Sequence, residues 1–260
     1  MAKRGIIGKR ALVTGASSGI GREIARELAR QGADMVVVAR RLDRLRELAA
    51  EISAAGRRIE PIAGDVTDPS VRREAIATAR DRLGGLDILV NNAGVGALGE
   101  FAEAEPDRLR RIMEVNFFAV AELTREALPL LAAGNQPIVV NIGSILGHRA
   151  MPRSSEYCAS KFALRGLSES LRAELLPRGV DVLLVSPATT ETEFFDSLIE
   201  RKAGAAWRSP RVASPESVAR ATVRGICRGS REVFPDASSR LVYWLNRLAP
   251  SIVDRVLANR

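Results

Sequence analysis

The sequence predicts an α/β fold, a parallel sheet covered by helices on both faces, and three observations carry that prediction. Strand-sized apolar runs alternate with helical segments along most of the chain. The longest of these runs, such as Met35–Ala39 and Val182–Val185, stay far below the roughly 18–20 residues of a membrane span. A length of 260 residues with 46% apolar content also suits one large core better than a disulfide scaffold.

The elements follow in order. Arg10–Thr14 reads as a short buried strand, then a glycine loop, then an amphipathic helix to about Arg30. Met35–Ala39 is a β-branched strand, and Leu42–Ala55 a helix stopped by Gly56. Ile59–Ala63 is a strand. A helix from Asp68 to Leu83 is opened by Asp-Pro and closed by Gly84-Gly85. Leu86–Val90 is a strand, Pro106–Ala133 one long helical stretch, and Ile138–Ile142 a strand. Ser155–Leu176 is a helix, Asp181–Ser186 a strand, and Pro215–Arg228 a helix. No linker or low-complexity stretch interrupts this alternation.

Composition narrows the class. Mean hydropathy is −0.01 and 27% of residues are charged, which excludes a disordered chain. Two cysteines cannot form a disulfide framework, and nothing near Cys158 or Cys227 has metal-ligand spacing, so no metal is expected. The basic start has no uninterrupted apolar h-region, so it reads as no signal peptide, and a cytoplasmic location is expected. The whole net charge of +8 falls in residues 201–260. Its arginines are dispersed singly without aromatic interleaving, so nucleic acid is not the expected partner.

The strand 10–14 runs into Gly15-Ala16-Ser17-Ser18-Gly19-Ile20-Gly21. Glycines between a strand and a helix permit a tight turn and bring backbone N–H groups to a pyrophosphate at the positive helix terminus. No Gly-Lys-Ser/Thr follows, so this is not a P-loop. Further along come Asn91-Asn92-Ala93-Gly94, Asn116, Ser144, Tyr157-Cys158-Ala159-Ser160-Lys161 and Ser186-Pro187. With the TGxxxGxG loop and the YxxxK pair in this order, the chain resembles the short-chain dehydrogenase/reductase (SDR) family over roughly residues 8–230.

That resemblance implies a Rossmann-type doubly wound sheet. Residues 1–230 form the dinucleotide-binding and catalytic domain, with a substrate loop at about 188–214. Residues 231–260 are a helical extension of the same domain. It implies that Gly15, Ser17, Ser18, Gly19, Ile20, Gly21, Asn91, Ala93 and Gly94 contact a dinucleotide, that Asp65 and Val66 flank its adenine, and that Pro187, Thr190 and Thr192 approach its carboxamide side. Tyr157 is then the acid/base and Lys161 its modulator, also on the nicotinamide ribose; Ser144 binds the substrate oxygen and Asn116 holds a water in a proton relay. Ala188 and Thr190 depart from the family pattern, which leaves the contacts of Thr190 and Thr192 the least supported. The family's partners are small carbonyl or alcohol substrates, and the expected assembly is a homodimer or homotetramer.

Two points rest on the residues themselves. An acidic side chain after the strand 35–39 would accept from ribose hydroxyls and repel a 2′-phosphate. This chain has Arg40-Arg41 there and no carboxylate before Asp43. Arg40 offers a bidentate fork to a phosphate, so NADP(H) is the expected cofactor; Arg41 reads equally as an exposed helix-start residue. Tyr157 and Lys161 at i, i+4 share one helix face, and a nearby ammonium is expected to lower the phenol's pKa. The resulting expectation is an oxidoreductase interconverting a carbonyl and a secondary alcohol, on an apolar substrate given Phe194, Phe195, Leu198, Ile199 and Trp207. The competing reading is a non-enzymatic NADP(H) sensor on the same fold.

His148 either borders the substrate or, as preferred, is a solvated loop histidine. In the tail, Leu241, Trp244, Leu245 and Leu248 form one helical stripe, Pro250 breaks it, and Ile252, Val253, Val256 and Leu257 form a second. Arg240 and Arg247 border the first. Packing on the core or a partner subunit is preferred, with peripheral membrane contact through 240–257 as the alternative.

Overall fold

In the computed structural model, which describes residues 4–195, 198–201 and 212–258, the predicted alternation becomes a seven-stranded parallel sheet. The elements are β1 (Arg10–Thr14), α1 (Gly19–Arg30), β2 (Asp34–Ala39), α2 (Leu42–Ala54), β3 (Ile59–Ala63), α3 (Pro69–Leu83), β4 (Ile88–Asn91) and β5 (Ala97–Leu98). Then come α4 (Arg108–Met113), α5 (Ala119–Ala132), β6 (Ile138–Ile142), α6 (Ser155–Glu174), β7 (Asp181–Val185), β8 (Glu200–Arg201), α7 (Pro215–Arg228), β9 (Glu232–Val233), α8 (Ala237–Leu248) and α9 (Pro250–Ala258). The sheet order is β3-β2-β1-β4-β6-β7-β9, and β5 and β8 pair separately.

Side-chain alternation sorts the core into two layers. Ala11 and Val13, with Met35 and Val37, face α1, α2 and α7 through Ile24, Leu28, Leu45, Leu48, Val218 and Ile226. Leu12, Val36 and Val38 face α3 and α5 through Ala75, Ala79, Leu123 and Leu131. The chain leaves β1 toward β2 and β3, then returns to build outward from β4 on the other side. That reversal opens a crevice at the carboxyl ends of β1 and β4.

Three features differ from or add to the local reading. The long helical stretch 106–133 is interrupted by a π-helical turn at Glu114–Phe118, a bulge that re-aims Asn116. The edge strand β9, in register Leu184↔Glu232 and Val185↔Val233, is too short to show periodicity in sequence. The apolar stripe of α8 faces outward; the helix packs instead through buried Ser239 and half-buried Tyr243 and Asn246. Among the described residues no helix is long and apolar enough to cross a membrane.

Candidate active site

Three strand ends and one helix build the site. The loop after β1 turns at Gly15, where φ is +66° and a Cβ would lie 2.7 Å from Asn92 Nδ2 and 2.9 Å from Ala93 Cα. Only glycine tolerates that conformation and that approach together. Asn92 fixes the arrangement, donating to the carbonyls of Thr14 (3.0 Å) and Gly15 (3.1 Å). The Thr14 hydroxyl accepts from the N–H groups of Asn92 and Ala93. Ser18 caps α1 with extended backbone but no side-chain hydrogen bond to the first turn. The helix therefore presents its N–H groups and positive terminus uncapped to the cleft.

That cleft has a volume of about 360 Å³, and the expected residues line it in groups. Gly15, Ser17, Ser18, Gly19 and Ile20 form one wall, Arg40, Asp65 and Val66 one end, and Ala93 and Gly94 the floor. Ser144, Tyr157, Lys161, Pro187, Thr190 and Thr192 close the other side. The Asp65 carboxylate is partly engaged by Thr67, through its N–H at 3.0 Å and hydroxyl at 2.9 Å.

Two expected cofactor contacts, Asn91 and Gly21, are turned away from the cleft, and the Asn116 side chain is engaged by protein. Asn91 ends β4 with its side chain turned into the sheet's α5 face, donating to Thr124 Oγ1 (3.0 Å) and Asn141 Oδ1 (2.9 Å); strand alternation sends Asn92 to the cleft side instead. Gly21 is a packing residue, since a Cβ there would lie 2.4 Å from the Gly15 carbonyl. The Asn116 amide is consumed by protein: Oδ1 accepts from Val95 N–H (2.8 Å), and Nδ2 donates to the Val95 carbonyl (2.9 Å) and Ser160 Oγ (3.0 Å). Its side chain clamps the loop after β4 and has no donor left for a water.

Ser144 starts a 3-10 turn after β6, its hydroxyl accepting from Leu146 N–H at 3.1 Å and reaching the Tyr157 phenol. Tyr157 and Lys161 stand one turn apart on α6. Lys161 is buried, donates to the Ile142 carbonyl at 2.9 Å, and has its Nζ 5.6 Å from the Tyr157 ring centroid. Burial pushes Lys161 down to about 8. It pushes the Tyr157 phenol up, against the Ser144 hydrogen bond that favours its ionisation. The expected lowering of the phenol by the ammonium is thus reversed in this structure. Lys161 is buried and Tyr157 half-buried, which penalises both charges, and one of the three ammonium donors is held by a carbonyl.

Several further residues meet at or near the cleft. Arg41 leans over the glycine loop, with Nη2 2.6 Å from Ser18 Oγ and 3.2 Å from Ser17 Oγ, and Nη1 2.7 Å from Glu193 Oε2. Phe194 packs on Tyr157 with ring centroids 5.7 Å apart. Arg108 is fully buried and pairs with Glu156 at 2.7 Å and Glu200 at 2.9 Å, tying α4 to the residue before Tyr157 and to β8. Arg41 was legible as the neighbour of Arg40; the Arg108 cluster joins residues about 50 and 90 positions apart and left no local signal. His148 is not solvated. It is buried, its Nε2 lies 3.0 Å from Ser186 Oγ and 2.8 Å from Glu232 Oε1, and it packs against Phe234 and Tyr243. Trp207 lies outside the described residues. Among those described, no group of three or more His, Cys, Asp or Glu side chains is placed to hold a metal.

The comparisons agree with this architecture. The family model described as short chain dehydrogenase matches residues 9–203. A ketoacyl reductase, HetN, of Nostoc is 31% identical over 96% of this chain and 88% of its own length. The structure of a short chain dehydrogenase from Burkholderia cenocepacia in complex with NADP superposes with a TM-score of 0.80, at 32% identity over 91% of this chain and 100% of that one. A short chain dehydrogenase/reductase from Burkholderia phymatum in complex with NAD shares the fold, with a TM-score of 0.86 at 24% identity over 96% of each chain. With a glycine-cradled crevice fit for a nicotinamide dinucleotide and relatives across nearly its whole length, the chain belongs to the short-chain dehydrogenase/reductase family of oxidoreductases.

Proposed function

We propose that the protein is an NADP(H)-dependent oxidoreductase that interconverts an apolar carbonyl compound and its secondary alcohol. The observation that carries this reading is the convergence of Ser144, Tyr157 and Lys161 on the cleft that the glycine loop opens. The cleft fits a dinucleotide by its own geometry. Gly15 admits no side chain, the first turn of α1 is uncapped, and Gly94 is so placed that a Cβ would lie 3.8 Å from Lys161 Nζ.

The nicotinamide cofactor, when bound, supplies or accepts the hydride. The chain supplies the proton and the orientation. Tyr157, held protonated by burial, is poised to donate its phenolic proton to a carbonyl oxygen as negative charge builds there. Ser144 adds a second hydrogen bond at the same oxygen, and Lys161 contributes a donor from the turn below. Asn116 acts indirectly, by fixing the Val95 backbone and Ser160. Support for the 2′-phosphate comes from Arg40 and Arg41 beside Ser17 and Ser18, a cationic and hydroxyl-rich stretch with no carboxylate between the end of β2 and Asp43. The apolar substrate is supported by Phe194 and Leu198 on the cleft wall, and the ketoacyl reductase named among the relatives is consistent with it.

The test is NADPH oxidation measured over aldehydes, ketones and 3-oxoacyl thioesters. Tyr157→Phe is expected to lower kcat by about a hundredfold to ten-thousandfold while dinucleotide binding persists. Tight NADPH binding without turnover on any of these classes would assign the chain to sensing instead.

A further inference from the structure

Helix α8 is inverted relative to an ordinary surface helix. Its packed side is Ser239, Tyr243 and Asn246. Its apolar stripe points away from the protein, with Leu241 59%, Trp244 50%, Leu245 47% and Leu248 77% exposed. At 100° per residue these four cover one face, and Arg240 and Arg247 border it on the Trp244 side. Both arginines are exposed, and neither is in an ion pair among the described residues, whereas Arg149 on the packed side is paired with Asp254 at 2.5 Å. A contiguous apolar face of this kind marks a contact site.

We propose that the outer face of α8 docks on an anionic phospholipid surface. Charge selects this occupant. The stripe is edged by uncompensated cations, exposed Arg255 follows on α9, and α8 and α9 carry Arg240, Arg247 and Arg255 against Asp254 alone. A second copy meeting this face about a two-fold axis would bring like-charged arginine borders together, whereas anionic headgroups neutralise them. The leucines enter the acyl boundary, Trp244 sits at headgroup level, and Arg240 and Arg247 snorkel to the phosphates. The opposite face of the same helix holds the Ser144 side: Asn246 Nδ2 donates to the His148 carbonyl at 3.0 Å and Tyr243 meets the His148 ring edge-on, four residues beyond Ser144. The lipid surface therefore lies about one helix diameter, roughly 10 Å, from the loop that carries Ser144. This inference does not depend on the cofactor reading.

The experiment is cosedimentation of the full chain with vesicles of phosphatidylcholine alone or mixed with phosphatidylglycerol. Trp244 emission is followed in a W207F background, since the chain has two tryptophans. Binding is expected to the anionic vesicles only, with a blue shift of Trp244 and weakening by salt. R240Q and R247Q are expected to weaken it about fivefold each. L241E combined with L248E abolishes it, with an unchanged melting temperature and unchanged NADPH binding. Three results overturn the proposal. The full chain fails to bind anionic vesicles, with Trp244 already blue-shifted because another segment of the chain covers the stripe. A concentration-dependent dimer dissociates on L241E/L248E without any vesicle binding. Or L241E/L248E binds vesicles as the parent does.

Discussion

Tyr157 and Lys161 show how burial, more than neighbour charge, sets a residue's state here. With its pKa pushed down to about 8, Lys161 in the cofactor-free enzyme is a cation at neutral pH and loses that charge as pH rises through about 8. Tyr157, raised by burial, keeps its proton across the same window. The kcat/KM for NADPH, which reports the cofactor-free protein, is therefore expected to fall above about pH 8, and Lys161→Arg to move that limb upward. An unmoved limb would mean that another group titrates there. Arg41 and Glu193 define a second residue-scale effect. The Glu193 carboxyl is held below the usual carboxylate range by the Arg41 hydrogen bond, with Arg44 and Ser18 adding to it, so a carboxylate sits on the Arg40–Arg41 end of the cleft. Glu193→Gln is expected to tighten NADPH binding by up to about fivefold, the worth of an exposed ion pair, and to leave NADH binding unchanged. Arg41→Ala is expected to weaken NADPH by about tenfold to a hundredfold, the loss of a charge-assisted hydrogen bond. Titration calorimetry with both cofactors decides it.

At the scale of elements, helix α6, which carries Tyr157 and Lys161, is held by a charge cluster as well as by apolar packing. Arg108 on α4 pairs with Glu156, which precedes Tyr157, and with Glu200 of β8. It also approaches the Glu100 carbonyl at 3.5 Å. Removing one partner of a buried pair leaves an uncompensated charge, so Glu156→Gln is expected to cost about 3–5 kcal/mol by chemical denaturation. Arg108→Met strands both carboxylates and is expected to cost at least as much. The π-helical turn at Glu114–Phe118 is the companion device, aiming Asn116 at Val95 and Ser160. Neither was visible in the sequence, where Pro106–Ala133 reads as one helix: a bulge of one residue barely disturbs a 3.6 period, and ion pairs between distant positions have no periodicity at all. By contrast, β1, β3, β6 and α7 match their sequence bounds residue for residue, because apolar runs closed by glycine, proline and capping residues specify both type and length.

Across the whole molecule, the sheet order and its reversal between β1 and β4 bring to one crevice residues from Gly15 to Thr192. The same topology places the tail. β9 extends the sheet beside β7, which delivers α8 to the loop after Ser144 and leaves its apolar stripe outermost. His148, read in sequence as a solvated loop residue, is sealed by this tail through Tyr243 and paired to Glu232 of β9. The sequence by itself determined the parallel sheet, the glycine turn, the Tyr157–Lys161 pair and the basic end of the cleft, since each is a matter of local periodicity, backbone freedom or spacing along one chain segment. Tertiary structure alone decided which way α8 faces, that Asn92 rather than Asn91 reaches the cleft, that Arg41 meets Glu193, and that burial raises Tyr157. Those outcomes depend on which distant segments exclude water from a group or meet it with charge, and that is fixed only when the sheet closes.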